Sequence, residues 1–236
     1  MIRKLSILCL SILFCGSVAW AADSAGNRKD SIIMLGMAPV GIHPATLLAA
    51  PARVAVILGD LTVGIDAGSG SSSYYTTGKA TTFLTTTSGT YTNQGLNARY
   101  FFGNSFNASL GYHMRNYSSV ITAQSSSRSS TYSGGSWTTT TTTSSETFTL
   151  DAKTSVATLG IGNHWLMDWG LWIGGDWVLA SGAISQTKEV TSTGTTGSPS
   201  ASQLASFKKN AEVAADEMND WSASSGFAVL TIGFAF

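Results

Sequence analysis

Seven ionisable side chains, Arg53, Asp66, Arg99, His113, Arg115, His164 and Asp176, fall on a period-two pattern whose same-face neighbours are small or polar. Groups of these types can serve as acids, bases or ion-pair partners. Catalysis would need an acid, a base and a nucleophile gathered at one depth. No Ser, His and carboxylate fall on adjacent segments at one level, so no catalytic residue is expected. Neither the histidines, His43, His113 and His164, nor the cysteines, Cys9 and Cys15, have metal-ligand spacing, so no metal or cofactor is expected either. The pattern favours pairing, because a lone charge on an enclosed face is costly; Arg53 should stand opposite Asp66.

The elements that must hold these groups are strands. Alternation of apolar and small residues marks segments at approximately 30–37, 47–58, 61–75, 91–102, 106–121, 153–165, 169–186 and 222–236. Short turns at Gly59-Asp60, at Gly103-Asn104-Ser105 and near Met167 join them in pairs, and a two-residue turn at Gly59-Asp60 brings Leu58 opposite Leu61. In the third pair the parity sends Trp165, Trp169, Leu171, Ile173, Trp177 and Leu179 to one face. It sends His164, Asp176, Ala180 and Gly182 to the other. The first strand, with its Pro39 to Pro44 return loop, is the weakest assignment. Long polar segments separate the pairs, at about Ser71 to Gly89, Ala123 to Leu150 and Thr187 to Trp221. In the last, Ser200 and Ser202 precede Leu204, Phe207, Ala211, Ala214, Ala215 and Met218 at helical spacing, which predicts a short amphipathic helix against the rim or mouth of whatever the strands build.

An even set of antiparallel strands with one greasy face and one crowded polar face closes most naturally into an up-and-down β-barrel of eight strands whose greasy face meets lipid. Aromatic residues gather near the short turns, namely Tyr100, Phe102, Phe106, Trp165, Trp169, Phe234 and Phe236, as at a membrane interface. Tyr112, Trp177 and Trp221 should stand farther away. Residues 1–21 read as a secretory signal peptide: Arg3 and Lys4, an apolar run from Leu5 to Val18, then Ala19-Trp20-Ala21. Both cysteines fall inside it, leaving residues 22–236 as one thiol-free domain. Subtracting Arg3 and Lys4 from 13 basic residues, against 13 acidic ones, leaves a mature charge of −2, and nothing in it suggests nucleic-acid binding.

From about Asp30 to Phe236 the chain resembles the small Gram-negative outer-membrane β-barrel proteins, the group that includes the OmpA-type transmembrane domain. The terminal strand GFAVLTIGFAF, with Phe234 and Phe236, is similar to the insertion signal of that group. The resemblance implies an outer-membrane location, lipid and the insertion machinery as partners, and a monomer. Members serve as structural proteins, adhesins, narrow channels or lipid-modifying enzymes, so it carries little about activity. A structural or surface-interaction role with a filled lumen is the leading expectation. A narrow channel for small solutes comes second, and a barrel enzyme acting on lipid or peptide third. The Thr/Ser-rich segments Thr81 to Thr92 and Ser136 to Leu150 either extend the strands as a polar hairpin or form flexible loops, and they are the candidate surface for an unidentified ligand.

Overall fold

The computed structural model describes residues 23–42, 49–72 and 83–236. The expected signal peptide, His43, and the strand ends expected at 47–48 and 73–75 lie outside these residues. Helix α1 (Ser24–Asp30) precedes strands β1 (Ile33–Ile42), β2 (Ala52–Leu58), β3 (Leu61–Ser72), β4 (Phe83–Phe101), β5 (Phe106–Ser133), β6 (Ser136–Leu166) and β7 (Leu171–Thr196). Helix α2 (Ala201–Ser222) and strand β8 (Gly226–Ala235) complete the chain. The eight strands close in sequence order into an antiparallel barrel, with β1 against β8 as the seam.

Glycine at a positive φ makes the tightest corner possible. Gly59 (φ 66°) is the first central residue of the two-residue turn between Leu58 and Leu61, and Asp60 follows at an ordinary φ, the pattern of a type II′ hairpin turn. The register it sets runs from Leu58↔Leu61 through Arg53↔Asp66.

Several expected boundaries move. Residues 24–30 are helical, so β1 begins at Ile33, and Pro39 lies within β1 instead of starting a return loop. Lacking an N–H, Pro39 sits where the β1–β8 register shifts, a place a ladder can spare a donor. Strand β2 starts only after Pro51, and β8 at Gly226, because Ser222 still belongs to α2. Strands β4 to β7 outrun their expected ends: β5 and β6 span 28 and 31 residues and meet at Gly134-Gly135, so the segment between Ala123 and Leu150 is a continuous hairpin. Helix α2, expected to be short, has 22 residues.

Two faces also differ from strict alternation. In the β6–β7 ladder Ile161 pairs with Val178 and Gly162 with Asp176, leaving Trp177 as an extra residue in β7. A bulge of one residue reverses parity beyond it. Val178 therefore faces outward and Leu179 inward, with Ala180 and Gly182 on the outer side, opposite to the simple alternation. A second extra residue, Ile184, restores the original sense. In β8 the left-handed Ala228 (φ 51°) rotates Phe227 onto the outer face, where 54% of it is exposed.

Candidate functional site: the barrel interior

The interior is layered, and each layer is set by strand register. At the end carrying the short turns, Met34, Ala55, Ile57, Phe101, Leu166, Trp172 and Ala235 form an apolar floor. Beneath it lies α1, started by the Asp23 side chain accepting from the Gly26 N–H. Fully buried Arg28 fastens this helix: it donates to the carbonyls of Gly103 and Asn104 at 2.7 Å each, reaches Asp60 at 3.2 Å, and lies 4.0 Å over the Phe101 ring. Burial lowers the Arg28 pKa from its ordinary value, and Asp60 opposes that shift. Asn27 donates to the Leu166 carbonyl and to Asp168, so α1 bonds to all three short turns.

Above the floor, Arg99 and Asp176 form a bidentate pair at 2.6 and 2.9 Å. The same guanidinium donates to the Asn107 amide oxygen and meets His164 Nδ1 at 2.9 Å. A guanidinium offers no lone pair, so His164 Nδ1 must accept and its proton belongs on Nε2, an atom without a partner among the described residues. Arg53 and Asp66 form the next pair, at 2.6 and 2.8 Å. His113 lies in the same cross-strand row as Asp66, two strands away across Gly95. Glycine is required opposite each buried imidazole: a Cβ on Gly95 would collide with the His113 ring, and one on Gly174 with His164.

Higher still, Arg115 donates to the Ser222 carbonyl at the last turn of α2 and bonds Asn93 at 3.4 Å. A cation there complements the partial negative charge of a helix C-terminus. Thr154 donates to the Asn219 side chain at 2.8 Å, and Asn219 donates to the Thr187 carbonyl at 3.1 Å. Helix α2 then fills the space within the extended strands, burying Phe207, Ala211, Ala214, Ala215 and Met218 against Tyr91, Tyr117, Ile121, Phe148, Leu150 and Ala152. Its start is a capping box between Ser200 and Gln203, and Lys188 pairs with Asp216 on its flank.

Between floor and helix remains a cavity of about 50 Å³, lined by Arg53, Asp66, Asn97, Arg99, His113, Arg115 and Asp176 among others. The space is large enough for water, which can satisfy groups such as the Asn97 amide nitrogen, an atom without a described protein partner.

All seven expected lumen residues thus point inward, in three groups: Arg99 with Asp176 and His164, Arg53 with Asp66 and nearby His113, and Arg115 with α2. Parity had already put Asn107 on the inward face with Arg99, and it is fully buried there. Sequence reasoning missed Asn93, Asn219 and Arg28. Asn93 shares the inward parity of its strand and could have been found by it; Arg28 left no periodic signal. Among the described residues no group of three or more His, Cys, Asp or Glu could hold a metal ion.

The expected interface aromatics lie on the outer face near the turns, with ring contacts Tyr100–Phe102, Phe102–Phe106 and Trp169–Phe234 at 5.1, 6.1 and 6.0 Å. Trp177, expected higher, joins them through Phe106 at 6.5 Å. Trp221 faces Tyr91 inside the barrel mouth instead of any outer boundary. Phe234 and Phe236 are exposed, and the Phe236 carbonyl accepts from the Ile32 and Ile33 N–H groups across the seam.

The chain matches no protein-family model and no curated protein.

Proposed function

We propose that this chain is an outer-membrane β-barrel protein of a Gram-negative bacterium, monomeric in the bilayer, with a structural or surface-interaction role and a filled interior. The observation that carries the reading is an inversion of polarity along single strands. In β5, Leu110, Tyr112 and Met114 face outward while Ser109, His113 and Arg115 face inward. Farther along the same strand Asn116 and Ser118 face outward while Tyr117, Ile121 and Ala123 face inward. Strand β6 repeats it: Leu159 and Ile161 lie outside Thr158 and His164, then Asp151 and Lys153 lie outside Leu150 and Ala152.

A soluble barrel has no reason to turn inside out partway along a strand. A barrel leaving hydrocarbon for water has one, because the outer face changes solvent while the interior gains a helix to bury. From Phe106 to Met114 the apolar face covers eight residue steps, about 27 Å along the strand and roughly 20 Å along the axis after tilt, near the height of a membrane band. The aromatic cluster by the turns supports one interface, and the switch near Met114 and Ser155 the other. The short turns then face the periplasm and the long hairpin the exterior.

A channel would need a path past the apolar floor with α1 beneath it, and past α2 at the other end. The paired Arg and Asp residues between them support a plug over either alternative. Protein inserted in planar bilayers should show heat-shifted migration on a detergent gel and no discrete current steps. Unchanged migration on boiling would sink the barrel reading, and reproducible conductance would replace the plug with the channel.

A further inference from the structure

Among the described residues the β5–β6 hairpin continues past the last pairs of its neighbours. Strand β4 last pairs at Phe83↔Gln124, and β7 at Thr196↔Ser145, after which the chain leaves at Gly197 (φ 79°) beside the Thr143 carbonyl. Beyond those points nine cross-strand pairs, Ser125↔Ser144 to Ser133↔Ser136, run to the Gly134-Gly135 turn, whose two positive φ angles mark a type I′ corner. Every residue from Ser136 to Thr143 is exposed.

A two-residue turn makes Ser133 and Ser136 a hydrogen-bonded pair, and alternate pairs follow suit. Trp137, Thr139, Thr141 and Thr143 therefore occupy the closely spaced positions and aim their N–H groups away from β5. The side chains agree: the Tyr132 and Trp137 rings meet at 5.1 Å, tilted by 52°, and Ser130 and Thr139 hydroxyls meet at 3.1 Å. Strand edges usually carry a charge, a proline or a bulge that blocks pairing. The β5 edge has Arg128, whereas Ser136-Trp137 and the six threonines Thr138 to Thr143 have none of these devices.

From these observations we infer that the β6 edge pairs with the β6 edge of a second copy of this chain on an opposing surface. The inference rests on the outer-membrane reading. Copies in one membrane present their β6 strands in the same direction, while copies on facing membranes present them antiparallel, the better-paired arrangement. A two-fold axis at Thr139 sets each Trp137 beside the other copy's Thr141, clear of Gly197, as an aromatic–β-branched cross-strand pair. An edge without charge repels no identical edge and offers a charged partner no counter-ion. Pairing converts a marginal two-stranded ribbon into a four-stranded sheet.

Two populations of neutral phosphatidylcholine vesicles carrying full-length protein, one with donor and one with acceptor dye, test the idea by cross-vesicle energy transfer. Transfer should appear only when both carry protein. It should fall at least tenfold when either carries Thr139→Pro/Thr141→Pro, which removes two outward N–H groups and leaves the bonds to β5. It should fall likewise with Thr139→Lys/Thr141→Lys, and persist with Ser126→Pro/Ser130→Pro on the other edge. Transfer to bare vesicles, absence of transfer from wild-type vesicles, or equal loss in the β5-edge variant would overturn the pairing. Flotation and heat-shifted migration report separately on insertion; protein that fails to float with vesicles sinks the membrane reading itself.

Discussion

The half of the barrel nearest the short turns and the half beyond Met114 are built from the same strands, yet they solve opposite problems. Near the turns the outer face is apolar and the interior holds Arg99, Asp176, Arg53 and Asp66; beyond, Asp151 and Lys153 lie outside and Phe148, Leu150 and Phe207 inside. The pleat never changes, so only the assignment of polarity to its two faces does. Strand periodicity therefore says how residues alternate, while the surroundings decide which side is greasy.

The comparison breaks most sharply at the ion pairs. Asp176→Asn should destabilise the lower half by about 3–5 kcal/mol, because Arg99 is left buried without its counter-charge. Urea unfolding in detergent micelles measures the loss, and Arg99→Met with Asp176→Leu should recover most of it. Next, Leu110→Arg should cost about 2–4 kcal/mol of insertion stability, whereas Asn116→Arg, six residues along the same outer face, should cost under about 1 kcal/mol. Equal costs, read by unfolding from lipid vesicles, would erase the distinction between the two halves. Arg28→Met should lose roughly 1.5–3 kcal/mol with its charged hydrogen bonds, seen as faster amide exchange in α1 and the three turns. The smallest effect belongs to the upper half: Ser200→Ala should cost about 1 kcal/mol, confined to exchange at the start of α2.

Much of the lower half was legible in the sequence, and for a definable reason. The Gly59-Asp60 turn has a fixed length, so parity propagates without error from Leu58↔Leu61 to Arg53↔Asp66. Parity failed where a residue was inserted: nothing in the side chain of Trp177 announces a bulge, and Leu179 consequently changed sides. Ala228 misled in the same way, since alanine rarely takes a positive φ and no composition rule marks it. Helix α1 escaped because seven residues carry barely two turns of periodicity, and its anchor is a set of carbonyls brought together only by the closed barrel. The upper interior was readable in principle. Tyr117, Ile121 and Ala123 share the face opposite to that of Leu110, Tyr112 and Met114, and, with Ser119 interrupting them, that reversal is visible only once the strand is known to continue.

The seam has a kinetic consequence. Met34 pairs with Ala235 and Leu35 with Phe234, joining positions about 200 residues apart, while every other ladder joins neighbours in sequence. Loop-closure entropy makes such a contact slow to form, so the hairpins can assemble early and the ring waits for β8. During that interval β1 and β8 both offer bare backbone, and the floor beneath Arg99 is incomplete without Met34 and Ala235. Ring closure and the sealing of the interior are therefore one event, and substitutions at Leu35 or Phe234 should slow assembly more than they speed unfolding only if that seam is already formed in the transition state.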